Sequence, residues 1–226
     1  AQEFNTPLFI YDEDELRRRC REYTANFPTV VYAGKAFLCK AMVQLIAEEG
    51  LSLDCATGGE LHVALTAGMP ASRIVFHGNN KSLAELSMAV DAGVGHVVVD
   101  SFDEIERLGA IAVEQKKVVP VLVRVTPGVE AHTHEFIETG TEISKFGFTI
   151  SEGVAINALN RVHENPSLDL RGVHCHIGSQ IYRLDAFSRA INRLAELALA
   201  ARNQYGIIFS ILNLGGGLGA RYLSED

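Results

Sequence analysis

Positive charge is scarce in this chain: 20 lysines and arginines against 28 aspartates and glutamates leave a net charge of −8. Nucleic acid and anionic membrane surfaces recruit basic faces, so neither is expected as a partner. A local basic pocket for a small phosphate stays open. Cysteine is scarce too. Cys20, Cys39, Cys55 and Cys175 form no C-x-x-C pair and no framework spacing, which argues against a disulfide scaffold and for reduced thiols in the cytoplasm. No apolar run reaches membrane-spanning length, and the first residues show no signal-peptide pattern. Linkers, low-complexity tracts and composition shifts are also missing, so residues 1–226 read as one domain.

What the chain does have is seven short apolar runs: Val30–Ala33, Leu51–Ala56, Ile74–Phe76, Val97–Val99, Val118–Val125, Gly172–Ile177 and Ile207–Leu214. They are nearly continuous rather than alternating, as strands buried on both faces are. Helical patterns lie between them, such as Met42-x-x-x-Ile46 and Ile191-x-x-Leu194-x-x-Leu197. Capping boxes are expected at Thr57/Glu60, Ser82/Glu85 and Ser101/Glu104. The first five runs recur at the period of one strand plus one helix, which predicts a parallel sheet wrapped by helices.

An open doubly wound sheet and a (β/α)8 barrel both fit that pattern. The residues at the C-terminal strand ends favour the barrel: Lys35, Asp54, His77, Asp100, Arg124, His176 and Gly215. A barrel brings them to one mouth, whereas an open sheet spreads them along an edge. The expected fold is therefore an α/β, TIM-like barrel that lacks its last strand. The polar stretch Gly128–Gly147 breaks the rhythm and reads as a functional loop.

Chemistry concentrates at the strand ends. A lysine at a sheet rim is partly desolvated, which would make Lys35 a nucleophile towards carbonyls. Asp54 ends a buried strand, and Lys35 is its expected partner. Arg124 needs an anion or a carboxylate for the same reason. The glycines of Asn213–Gly219 let backbone N–H groups close on an anion. That stretch also nominally matches a dinucleotide fingerprint. The reading is discounted because the fingerprint belongs in an early βα unit followed by an acidic residue about 20 positions on, and the 226 residues end first. His174 and His176 share one strand face, and His132-x-His134 offers a second pair. No carboxylate or thiolate spacing completes a zinc site, so no metal is expected. An amine, a carboxylate, an arginine, an imidazole and a glycine nest together suit a carbonyl cofactor that carries a phosphate, which points to pyridoxal phosphate.

Tyr32-Ala-Gly-Lys-Ala36, His176-Ile-Gly-Ser-Gln180 and Gly215-Gly-Gly217, in that order, resemble the alanine-racemase-like (fold type III) pyridoxal-phosphate decarboxylases. Gly58-Gly-Glu-Leu61, His77-Gly-Asn-Asn-Lys81, Glu130-Ala-His-Thr-His-Glu-Phe-Ile137 and Lys145-Phe-Gly147 look most like the diaminopimelate decarboxylases within that group. The resemblance implies that Lys35 carries the cofactor through a Schiff base and that His176 stacks on its ring. It places Asp54 and Arg124 near the ring, and Ser179, Gly215, Gly216 and Gly217 on the phosphate. It implies loss of carbon dioxide from meso-2,6-diaminopimelate to give L-lysine, in a cytoplasmic homodimer. It further implies a last strand with Glu-Pro-Gly-Arg and a C-terminal β domain beyond Asp226, so the 226 residues alone are expected to be inactive. Two other readings share these residues: a pyridoxal-phosphate-binding barrel without turnover, and a decarboxylase or racemase of another amino acid.

Overall fold

The computed structural model describes residues 2–129 and 146–220. Helix α1 (Glu13–Asn26) comes first, its N-terminus capped by Asp12, whose Oδ1 accepts from the Glu15 amide at 3.1 Å. Strand and helix then alternate as β1 (Val31–Ala33), α2 (Lys40–Glu48), β2 (Ser52–Cys55), α3 (Gly58–Thr66), β3 (Ile74–Phe76), α4 (Leu83–Ala92), β4 (His96–Val99), α5 (Phe102–Glu114) and β5 (Val119–Thr126). After the loop come the two-residue β6 (Phe148–Thr149), α6 (Val154–His163), β7 (Leu168–His174), α7 (Asp185–Tyr205) and β8 (Ile211–Asn213).

All the strands pair in parallel, in the order β1-β2-β3-β4-β5-β7-β8, with β6 on the end of β5. Strands that follow one another in the chain lie side by side without the reversal of order that defines a doubly wound sheet. The sheet also curls. His77, just past β3, touches His174 of β7 with ring centroids 4.4 Å apart, although these strands are three positions apart. A flat sheet would hold them about 14 Å apart. The barrel expectation is therefore met. Among the described residues, β1 pairs only with β2 and β8 only with β7.

Two apolar layers hold the curl. Val75, Val98 and Leu122, with Val31 and Ile211 against them, fill the inside. Alternate strand residues such as Leu53, Phe76, Val97, Val99, Val121 and Val173 pack outward on the helices. That double burial explains the unbroken apolar runs.

Several boundaries differ from expectation. β7 starts at Leu168 rather than Gly172, because the Asp169–Arg171 ion pair interrupts its apolar alternation. β8 is only Ile211–Asn213; Ile207 is buried but follows the left-handed cap Gly206 of α7. In α7, Leu194 and Leu197 are buried while Ile191 is exposed. Of the three capping boxes, only Ser82/Glu85 closes in full. Thr57 and Ser101 accept from the Glu60 and Glu104 amides. Those two carboxylates reach one residue further back, to the amides of Ala56 and Asp100. Residues 130–145 of the expected functional loop, with His132 and His134, lie outside the described residues.

Candidate cofactor site at the barrel mouth

The inner face of each strand ends in a polar residue, and the curl turns these ends towards one another. Lys35 sits in a short 3-10 turn (Gly34–Ala36) after β1. A Cβ on Gly34 would lie 2.8 Å from the Asp54 carbonyl oxygen, so only glycine lets this turn settle against β2. Lys35 itself is exposed. The partial desolvation expected of it is not found among the described residues, where β1 forms an edge of the sheet.

The partner expected for Asp54 is corrected as well. Its Oδ2 lies 3.3 Å from His77 Nδ1, and no ion pair joins it to Lys35 among the described residues. Neighbouring parallel strands bring Asp54 beside Val75, so the next inward position on β3, His77, is nearer than the turn that holds Lys35.

Arg124 of β5 is buried and donates through Nη1 to Asp100 Oδ2 at 3.0 Å. Its guanidinium lies 4.4 Å from the centre of the Phe146 ring. Asp100 Oδ1 accepts from the Gly147 amide at 2.7 Å, and Thr126 Oγ1 donates to the Phe146 carbonyl at 2.6 Å. Arg124 therefore meets a carboxylate, one of its two expectations, and the pair pins the returning end of the loop.

A second buried pair lies behind it. Lys81 Nζ is 2.7 Å from Glu104 Oε1 and donates to the carbonyls of Gly78 at 2.5 Å and Val98 at 2.8 Å. Sequence reasoning missed this pair. Lys81 reads as a loop lysine and Glu104 as a cap, and only the tertiary fold buries both.

His176 follows β7 and is partly buried. Its pKa falls to about 4, first through burial and then through the positive charges of Lys35 and Arg124 and the nearby His77, with Asp54 opposing. At neutral pH the ring is uncharged, which suits stacking better than ion pairing. Lys35, Arg124, His77 and Asp54 are thus near enough for their charges to reach His176.

The turn after β8 wraps around His176. Gly215 (φ 72°) and Gly217 (φ 96°) are left-handed, and a Cβ on Gly215 would lie 2.3 Å from the Cys175 carbonyl oxygen and 3.1 Å from His176 Nδ1. Gly216 differs: a Cβ there would meet nothing within 4 Å. Among the described residues this position is open, so its side chain is not excluded by the fold. Ser179 lies in the adjoining turn, whose Ile181 amide donates to the Gly217 carbonyl at 2.8 Å. Burial pushes the thiols of Cys55 and Cys175 up to about 12, so neither serves as a nucleophile.

The family described as "Pyridoxal-dependent decarboxylase, pyridoxal binding domain" matches residues 13–226. The chain belongs to this family. A diaminopimelate decarboxylase of Mycobacterium bovis is 53% identical over 233 residues, covering all of this chain and 52% of its own length. The Bacillus subtilis diaminopimelate decarboxylase is 46% identical over 232 residues, covering all of this chain and 53% of its own length. This pyridoxal-binding domain is also similar in structure to the Helicobacter pylori diaminopimelate decarboxylase complexed with L-lysine. The TM-score is 0.93 at 30% identity, over all of this chain and 57% of that one. The chain thus spans about half the length of the curated relatives it matches.

Proposed function

We propose that this chain is the cofactor-holding part of an enzyme that converts meso-2,6-diaminopimelate into L-lysine and carbon dioxide. The observation that carries the reading is the mouth itself: an exposed amine at Lys35, a neutral ring at His176 and a glycine turn whose middle residue faces open space. The residues fit pyridoxal phosphate. Lys35 provides the amine that holds the cofactor's carbonyl carbon. His176 offers an uncharged face to its ring, and Ser179 with Gly215–Gly217 offers hydroxyl and amide donors to its phosphate. Asp54 supplies negative charge beside the ring. Arg124, engaged by Asp100, adds positive potential while held in place. When bound, the cofactor supplies the electron-withdrawing ring that accepts the electron pair left as carbon dioxide departs.

The substrate assignment rests on the diaminopimelate decarboxylase relatives; the homodimer and the cytoplasm follow only from the family resemblance of the motifs. All four cysteines are free, which is compatible with a reducing compartment. The test uses a protein of the relatives' length that contains this chain. With added pyridoxal phosphate it should release carbon dioxide from meso-diaminopimelate and accumulate L-lysine. Cofactor binding without carbon dioxide from any amino acid would instead favour a barrel that binds the cofactor without turnover. Release from a different amino acid would reassign the substrate.

A further inference from the structure

Inside the barrel, just below the mouth, lies a polar contact that the proposed chemistry leaves unused. His77 and His174 meet edge to face, with ring planes 62° apart. Asp54 Oδ2 approaches His77 Nδ1 at 3.3 Å. An ionised carboxylate only accepts, so the His77 proton belongs on Nδ1 and Nε2 is left as a bare acceptor. Among the described residues that Nε2 is buried without a hydrogen bond, and the buried His174 ring has the Asn213 side chain beside it. His174 is 4% exposed. Burial, with His77 and Arg124 nearby, holds its pKa well below the ordinary histidine value. His77 Nε2 is therefore an acceptor without a partner, among the described residues, in this ring contact.

A buried polar group without a partner disfavours folding, and two apolar rings in this place would serve folding better. What the pair does hold is Asp54. That carboxylate lies at the edge of the mouth, and its charge is felt by both His176 and Arg124. A carboxylate on a rotatable bond needs a fixed donor to keep one oxygen turned to a ligand, and His77 Nδ1, 3.3 Å away, is the group placed to supply it.

We propose that His77, backed by His174, is a positioning residue of this site: its Nδ1–H locks the Asp54 carboxylate so that the other oxygen faces the cofactor. The proposal rests on the reading of the mouth as the pyridoxal phosphate site, and its test separates the two.

In the cofactor-free protein of the relatives' length, nitrogen-15 NMR of the imidazoles should show His77 protonated on Nδ1 at neutral pH. Asp54→Ala should shift that tautomer towards Nε2–H. Cofactor affinity is then measured by fluorescence titration. His77→Gln, which moves the donor to the far side of the ring position, should weaken binding about tenfold or more, the effect of a lost bond to a charged group. His77→Asn, which keeps a donor where Nδ1 was, should recover most of that loss. A structural role alone would not distinguish Asn from Gln in this way. An Nε2–H tautomer in the wild type, or equal affinities for the two variants, overturns the positioning role. A wild type with the Nδ1–H tautomer that binds no pyridoxal phosphate overturns the reading of the mouth, and the positioning role with it.

Discussion

On the β4–β5 side of the mouth, Lys81 meets Glu104 and Arg124 meets Asp100, all four buried. On the β1–β8 side, Lys35 is exposed and makes no ion pair among the described residues, and Gly216 faces open space. The first cluster satisfies itself and needs no ligand. The second leaves its groups without partners among the described residues, which is what the proposed cofactor would require. Polar side chains at strand ends are therefore not equivalent: some are paired inside the fold, and others are left open among the described residues.

Substitutions on the two sides should separate cleanly. The largest loss of folding stability is expected from Arg124→Ala, which leaves the Asp100 carboxylate buried beside a single backbone donor. Denaturant unfolding of the cofactor-free protein should show about 3 kcal/mol lost. A loss below about 1 kcal/mol would mean that the pair is not the support described here.

The next effect comes from His176, which sits between the two clusters. Its pKa is about 4 in the fold against an ordinary 6.5, so the unfolded chain binds more protons between those values. The fold keeps its full advantage above pH 6.5 and loses it as pH falls towards 4, by up to about 3 kcal/mol. His176→Phe keeps a ring without titration, so its unfolding free energy should vary less over that range. An identical pH dependence in wild type and variant would show that another group governs acid sensitivity.

Gly216→Val should leave stability nearly unchanged, since a Cβ there meets nothing among the described residues, yet weaken pyridoxal phosphate binding by about 2 kcal/mol. A variant that binds cofactor normally would reduce the glycine turn to a plain turn. The smallest effect on folding is expected from Lys35→Ala, within about 0.5 kcal/mol as for other exposed positions. Borohydride reduction followed by peptide mass spectrometry should nevertheless find no cofactor attached at residue 35 or at any other single site. Specific attachment at another lysine would remove Lys35 from its role.

Much of this arrangement was legible in the chain. Strands at Val31, Ser52, Ile74, His96 and Val119 recur as the apolar runs do, because a strand buried on both faces has little freedom in composition. The glycine turn and Lys35 were legible because their local backbone requires them: Gly34 must let β1 approach β2, and Gly215 must let the turn pass His176. Ile191 and the start of β7 were misjudged because exposure and ion pairing depend on neighbours distant in the chain.

By itself, then, the sequence determined which residues stand at the strand ends, since the strand period of two and the repeat of strand and helix are local properties. The tertiary structure alone decided which of them meet. Curling brought His77 of the third strand against His174 of the seventh and gave Asp54 to His77 rather than to Lys35. It also buried Lys81 on Glu104. Partnership across a barrel depends on curvature and register, which arise from the packing of all the strands together and are written in no single stretch of the chain.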